Sequence, residues 1–258
     1  MCEAEFPLIQ STDQARIHKP IEAQANIAEA MKILINKADH FIYIENQFFV
    51  SGFGVPDQPV TPKTFSGPAG LVHEKSKNGA AATCWMPGDS KQMPQNNICK
   101  LLADRVHHLI MSEPKDHPFH IYITLPVHPE GLLNDGPVIT QIHWTMQSLV
   151  FGSQSLLNRI RRALKAKELG ITDPNDKVYH DTDTQYLSID LKECERYVTL
   201  LNLRNHEKIG DNVVTEQIYI HSKMMIVDDR YALVGSANIN DRSLLGGRDS
   251  ELAVLEST

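Results

Sequence analysis

The sequence predicts an α/β fold, a mixed β-sheet flanked by helices, built as one domain over residues 1–258. Three observations point there. Short β-rich segments alternate with longer segments of helical period, 41% apolar content in 258 residues is enough for one sizeable core, and no repeat or low-complexity tract interrupts the pattern.

The first helix is expected after Pro20, in IEAQANIAEAMKILINKA, where Ile21, Ala28, Met31, Leu34 and Ala38 recur near a helical period. A strand, HFIYI, follows at once. From Ser51 to Pro94 there are six glycines and six prolines in 44 residues, too many breakers for a regular element, so this stretch is an excursion from the core. Its Phe53, Phe65, Leu71, Trp85 and Met86 fit an Ω-type loop packed on itself better than a lid that dips into lipid. A helix is expected near 97–111, then the strand FHIYITL, helical stretches near 138–149 and 153–167, and a strand from Tyr197 to Leu203. A hairpin and a last strand, SELAVLEST, complete the sheet.

Charge and composition exclude several classes. A net charge of −7 and a pI near 5.9 provide no basic field for nucleic acid backbones, so a nucleic acid partner is disfavoured. No apolar stretch approaches the length that spans a bilayer, and any membrane contact is expected to be peripheral. Cys2, Cys84, Cys99 and Cys194 lack metal-site spacing and read as free thiols. His107, His108, His117, His120 and His128 crowd one interval, but no Cys or carboxylate pattern completes a zinc site. The basic run Arg159, Arg161, Arg162, Lys165 and Lys167 could meet anionic head groups, although such a run is usually a solvated helix face.

The chemistry concentrates between Ile218 and Glu251, IYIHSKMMIVDDRYALVGSANINDRSLLGGRDSE, where HxKxxxxD is followed by GSxN. The pattern occurs once. In a strand alternate side chains share a face, so His221, Lys223 and Met225 leave on one side and an imidazole emerges beside an ammonium. Cleaving a phosphodiester requires charge compensation at its oxygens, a nucleophile, and a proton for the departing alkoxide. His221 can be the nucleophile or the proton donor. Lys223 brings a compact cation with three donors, and the small-residue turn Gly235-Ser236-Ala237-Asn238 lets backbone and the Asn238 amide approach phosphate oxygens. This set requires no metal and no other cofactor. A lone strand histidine is ordinarily a packed or surface residue, and the joint spacing is what singles out His221.

HSKMMIVDD, GSANINDRS and GGRDSE resemble the second catalytic (HKD) motif of phospholipase D nearly residue for residue. IYIENQFF, from Ile42 to Phe49, resembles the motif that precedes it in eukaryotic-type enzymes, and Tyr197 to Leu203 with Arg204 and His206 is similar to the segment leading into the catalytic strand. The stretch 51–94 has no such likeness. The resemblance implies a phospholipase D-like half-domain, the C-terminal catalytic half of an enzyme whose two motifs meet across a pseudo-twofold interface. It implies a partner, the N-terminal half bearing the first motif, and a phosphatidylcholine-like substrate at a membrane surface. The histidine of the first motif would form a phosphohistidine while His221 protonates the leaving alcohol; His221 would then activate water, or a primary alcohol in phosphatidyl transfer. Family members continue beyond the strand that ends here, so the chain is expected to be one piece of such an enzyme.

The residue roles carry over as follows. Asp228 is the third motif residue beside His221 and Lys223 in the catalytic set, although a carboxylate facing a phosphodiester would repel it, so a supporting role is expected. Lys223, Asn238 and Ser236 would hold phosphate oxygens, with the Ser236 hydroxyl also fixing the turn. Glu251 resembles the acidic residue that hydrogen-bonds the imidazole donated by the other half. Glu45 and Gln47, at the end of the strand that begins at Phe41, are expected near the cleft. Two alternatives remain: a homodimer pairing two copies of His221 as a phosphodiesterase or nuclease, disfavoured by IYIENQFF, and an inactive half-domain that binds a partner or lipid.

Overall fold

A computed structural model describes residues 8–11, 24–54, 93–112, 118–126 and 136–257. In chain order the elements are β1 (Leu8–Ser11), α1 (Asn26–Lys37), β2 (Phe41–Asn46), α2 (Ile98–Ser112), β3 (His120–Thr124), α3 (Gly136–Met146), α4 (Leu156–Leu169), β4 (Val198–Leu201), β5 (Arg204–Ile209), β6 (Asn212–Gln217), β7 (Lys223–Val227), β8 (Tyr231–Gly235), α5 (Asp241–Leu244) and β9 (Glu251–Ser257). A π-helical turn, Gln147–Phe151, extends α3.

The mixed sheet runs β1-β9-β8-β7-β2-β3-β4. β2, β3 and β4 pair in parallel, joined through helices as parallel strands must be, and β7, β8 and β9 add on as antiparallel strands. The alternation in FIYIEN and KMMIV is what orients it: Ile42, Ile44, Met225 and Val227 turn to one face and are buried. Ile121, Ile123, Val198 and Leu233 join them there, and the buried stripes of α1, α2 and α4 close a single core against that face. On the other face Tyr122, Val234 and Leu252 are 38–48% exposed.

Several expectations change. Residues 12–23 and 55–92 lie outside the described residues, which removes Pro20 and most of the 51–94 excursion from view. Where the excursion is described it belongs to the core: Ser51 and Phe53 are fully buried, the Ser51 hydroxyl accepts from the Cys99 N–H at 3.0 Å, and Phe53 packs on Trp144. The arginines of α4 are not a solvated face. Arg162 is buried and donates to the Val178 carbonyl at 2.6 Å, and Arg161 donates to the carbonyls of Ile189 and Leu187. They pin the irregular segment 177–196 to the helix and are spent on it.

The strand expected over 197–203 is the shorter β4, and after two irregular residues a separate hairpin, β5–β6, begins at Arg204 and, among the described residues, pairs only with itself. His107 and His120 are packed against Tyr179 and Thr199 at 2.9 and 2.8 Å; His117 and His128 lie outside the described residues.

Candidate active site

The sheet register assembles the site. Asn46, the last residue of β2, pairs with Lys223, the first of β7, so the motif that ends one strand meets the motif that begins the other. Lys223 shares the core-facing pleat with Met225 and Val227, which leaves the residue 9% exposed at the rim of the apolar core. Its Nζ donates to Gln47 Oε1 at 3.0 Å and to the His221 carbonyl at 2.6 Å. Burial pushes its pKa below the ordinary lysine value, and the nearby Glu251 carboxylate acts in the opposite direction. Among the described residues Lys223 makes no ion pair. A buried ammonium held by neutral acceptors leaves its charge uncancelled for an anion.

His221, two residues earlier, is exposed. Its ring stacks on Tyr219, with centroids 5.7 Å apart and planes at 22°. The Tyr219 hydroxyl accepts from Gln47 Nε2 at 2.8 Å. Gln47 therefore touches both Lys223 and the aromatic neighbour of His221.

The turn after β8 closes the site. A Cβ on Gly235 would lie 2.4 Å from the Leu252 carbonyl oxygen and 2.7 Å from the Ala253 Cα, so only glycine lets β8 and β9 approach where the turn departs. The Ser236 hydroxyl donates to the Glu251 carboxylate and accepts from the Leu252 N–H at 3.1 Å; the Ser243 hydroxyl donates to the other Glu251 oxygen at 2.6 Å. Asn238 Oδ1 is buried and has no hydrogen-bond partner among the described residues.

The structure places three of the expected residues more closely. Asp228 is at the far end of β7, roughly 17 Å from Lys223 by strand rise. Its carboxylate is occupied by the backbone N–H groups of Asp39, His40 and Phe41 at 2.7, 2.8 and 2.8 Å, so it anchors the entry to β2, in keeping with the supporting place expected of it. Glu45 and Gln47 part company, because Glu45 pairs with Met224 on the opposite sheet face and accepts from the Ser222 and Tyr43 hydroxyls. Only Gln47 lines the cleft. Ser236 has its proton committed to Glu251, which makes it a brace for that carboxylate before it is a phosphate ligand.

Asn46 was missed as a site residue. It is fully buried, and its Oδ1 accepts from Phe48 N at 3.3 Å and Ile239 N at 3.4 Å, while Val50 N donates to the Ile239 carbonyl at 2.7 Å. These bonds join the loop after β2 to the Ser236–Asn240 turn. Asp241 does the same from the other side, accepting the Gln95 and Asn96 N–H groups at 2.7 and 2.9 Å. The run of three polar residues Glu45-Asn46-Gln47 closing an apolar strand was the available signal.

Beside Gln47 opens a cleft of about 190 Å³ lined by Phe49, Leu125, Met146, Leu149, Leu200 and Leu201. Among the described residues no group of His, Cys, Asp and Glu side chains converges as a metal site.

Comparison with known proteins decides the family. The family model described as Phospholipase D matches residues 8–256. The chain belongs to the phospholipase D family. Phospholipase D B of Dictyostelium discoideum is 32% identical over 224 residues, covering 87% of this chain and 13% of that protein. Phospholipase D zeta 1 of Arabidopsis thaliana is 31% identical over 241 residues, covering 91% and 16%. Phospholipase D2 of Bos taurus is 31% identical over 235 residues, covering 89% and 18%. The chain thus spans less than a fifth of the length of these phospholipases D. Among solved structures, NucT from Helicobacter pylori aligns over 98% of this chain and 86% of that chain at 11% identity, with a TM-score of 0.37, too loose a superposition to bear on the site.

Proposed function

We propose that this chain is the C-terminal catalytic half of a phospholipase D and supplies the second of two histidines that cleave the phosphodiester of phosphatidylcholine-like lipids. The observation that carries this is the Lys223 ammonium, desolvated and held by Gln47 and by the main-chain carbonyl of His221, whose own side chain belongs to an exposed residue. A phosphodiester entering there meets a fixed cation and a proton donor together.

One histidine is half of a two-step displacement. In the first step a histidine of the other half attacks phosphorus, forming a P–N bond as the P–O bond to the head group breaks, and His221 gives its proton to the departing oxygen. In the second, His221 takes a proton from water; the hydroxide oxygen bonds to phosphorus, and the P–N bond breaks to release phosphatidic acid. A primary alcohol in place of water yields a phosphatidyl alcohol. Lys223 stabilises the anionic oxygens in both steps. Asn238 Oδ1, an acceptor without a donor among the described residues, suits a site that a second half or a substrate hydroxyl completes.

Two further features support a lipid. The chain carries a net charge of −7, unsuited to a nucleic acid backbone, and the cleft that starts at Gln47 is lined by leucine, methionine and phenylalanine. The exposed apolar sheet face is suited to packing against the other half.

The test is release of choline, and of phosphatidyl alcohol when a primary alcohol is present, by this chain alone and after mixing with the matching N-terminal half, with oligomeric mass recorded on the same samples. Activity only in the mixture is expected. Turnover by the chain alone as a dimer would replace this proposal with a self-paired phosphodiesterase, and no turnover in any mixture would leave a binding domain.

A further inference from the structure

Lys223 Nζ donates to the His221 main-chain carbonyl, which leaves the imidazole itself unheld by the lysine. The Lys223 ammonium and the His221 ring are linked through Gln47, whose amide oxygen accepts from Lys223 Nζ and whose amide nitrogen donates to the hydroxyl of Tyr219, the ring stacked on His221. Resting on the phosphate-binding assignment of Lys223, we propose that Gln47 and Tyr219 are positioning residues: one amide sets the direction of the Lys223 ammonium and, through the Tyr219 hydroxyl, the plane of the His221 imidazole.

The chemistry favours an amide at this point. Lys223 is 9% exposed, so its ammonium needs acceptors in place of the water it has lost. A carboxylate would satisfy it and cancel its charge. An amide oxygen satisfies it and leaves the charge for the phosphate. The amide also has a fixed sense: flipping it would set an NH2 group against the ammonium, so the lysine dictates that the NH2 end points to Tyr219. With its hydroxyl engaged, Tyr219 has one ring orientation, and the imidazole packed on it at 22° inherits that orientation.

Register makes this possible. The Asn46–Lys223 pairing brings the residue after β2 level with the residues before β7, so Gln47 reaches residues 223 and 219 from one backbone position. Glu45, two residues earlier, is turned to Ser222 and Tyr43 and takes no part.

The experiment uses the chain alone, with its histidine rings and lysine ammonium groups observed by NMR during titration with inorganic phosphate. His221→Ala and Lys223→Met assign the two signals. Gln47→Leu is expected to move the His221 ring signals, although among the described residues the Gln47 side chain bonds only to Tyr219 and Lys223, and to weaken phosphate binding about tenfold. Tyr219→Phe keeps a ring but frees it from Gln47; it should move the His221 signals while weakening phosphate less than Gln47→Leu does. Gln47→Glu should hold Lys223 yet repel phosphate, weakening it at least as much as Gln47→Leu. Unmoved His221 signals in both Gln47→Leu and Tyr219→Phe would overturn the positioning role, as would wild-type phosphate affinity in Gln47→Leu. If the wild-type chain binds no phosphate at Lys223, the phosphate assignment falls, and the His221 signals still decide the link through Tyr219. Melting temperatures check the fold; should Gln47→Leu fail to fold, Tyr219→Phe, which removes one oxygen, decides.

Discussion

Replacing Asp228 by asparagine should destabilise the chain by about 2 kcal/mol at neutral pH and leave the phosphate end of the site alone. One carboxylate oxygen accepts from the His40 and Phe41 N–H groups, both at 2.8 Å, and the other accepts from Asp39 at 2.7 Å. Asparagine keeps the first oxygen without its charge and sets an NH2 against the Asp39 N–H. Weakening two charge-assisted bonds and losing a third would cost about 3 kcal/mol in a dry interior, and the exposure of Asp39 and His40 to water brings this to about 2. Alanine loses all three bonds and must also adopt φ 54°, a left-handed conformation that aspartate tolerates better; it should cost about 1 kcal/mol more, which glycine would recover. Urea unfolding at pH 7 reads these differences as midpoint shifts at constant slope. The pH dependence has a definite sign. Burial alone would raise the Asp228 pKa, but the three N–H groups outweigh it and hold the carboxyl below its ordinary value. The stabilisation is therefore complete above the unfolded pKa, about 3.9, and is lost as pH falls through the folded value. Wild type and asparagine variant should converge in stability once the pH has fallen below the folded value. Equal stability at pH 7, or a gap that persists at low pH, would refute the anchoring role.

The other predictions concern the site and the turn that shapes it. In the reconstituted enzyme, His221→Ala should abolish turnover of substrates with basic leaving alkoxides and spare activated aryl esters better, since a general acid matters most for poor leaving groups; equal losses on both would remove that role. Lys223→Met should lower kcat by about a hundredfold or more, the worth of one preorganised charge at a developing anion, and a near-normal rate would take Lys223 out of the site. Gly235→Ala should cost about 1–3 kcal/mol by thermal or urea melts, because its Cβ would meet backbone of β9 at 2.4 Å and backbone cannot yield as a side chain can. For n-alkyl phosphates binding to the chain, each added methylene should raise affinity about fourfold until the cleft beside Gln47 is filled, and Met146→Trp should flatten the series; no dependence on chain length would argue against a lipid chain there.

The parts legible in the sequence are those with one buried and one open face. FIYIEN and KMMIV alternate because the core lies on one side of the sheet only, and this alternation set His221 and Lys223 side by side on paper. The β5–β6 hairpin was illegible for the same reason: its described side chains are exposed on both faces, so RNHEKIGDNVVTEQ has no buried set to betray a period. The arginines of α4 misled because charge is visible in sequence and the carbonyls that absorb it are not. The positioning contacts of the site, Asn46 to Ile239 and Gln47 to Lys223 and Tyr219, depend on which residue of β2 faces which residue of β7. A shift of one residue would undo them all, and nothing local in either strand states the register.

That register also explains why the motif is spread along β7 with its aspartate at the wrong end for chemistry. Asp228 fixes the start of β2 and Asn46 fixes its end, so the two motif segments are clamped at both limits of the strand pair. At the Asn46 clamp lies Lys223, a cation kept largely out of water. Its desolvation is a cost that no carboxylate ligand repays, and Glu251, the nearby acid, is itself bound by two serine hydroxyls that disperse its charge. Such an arrangement lowers the stability of the isolated chain in return for a charge that need not reorganise when phosphorus gains a fifth ligand and its oxygens gain negative charge. Releasing that cost should make the chain more stable: Lys223→Met, which places an apolar stem in the same pocket, is expected to raise the unfolding midpoint while lowering kcat. A loss of stability together with activity would mean that Lys223 is a structural residue and that the charge the site requires comes from elsewhere.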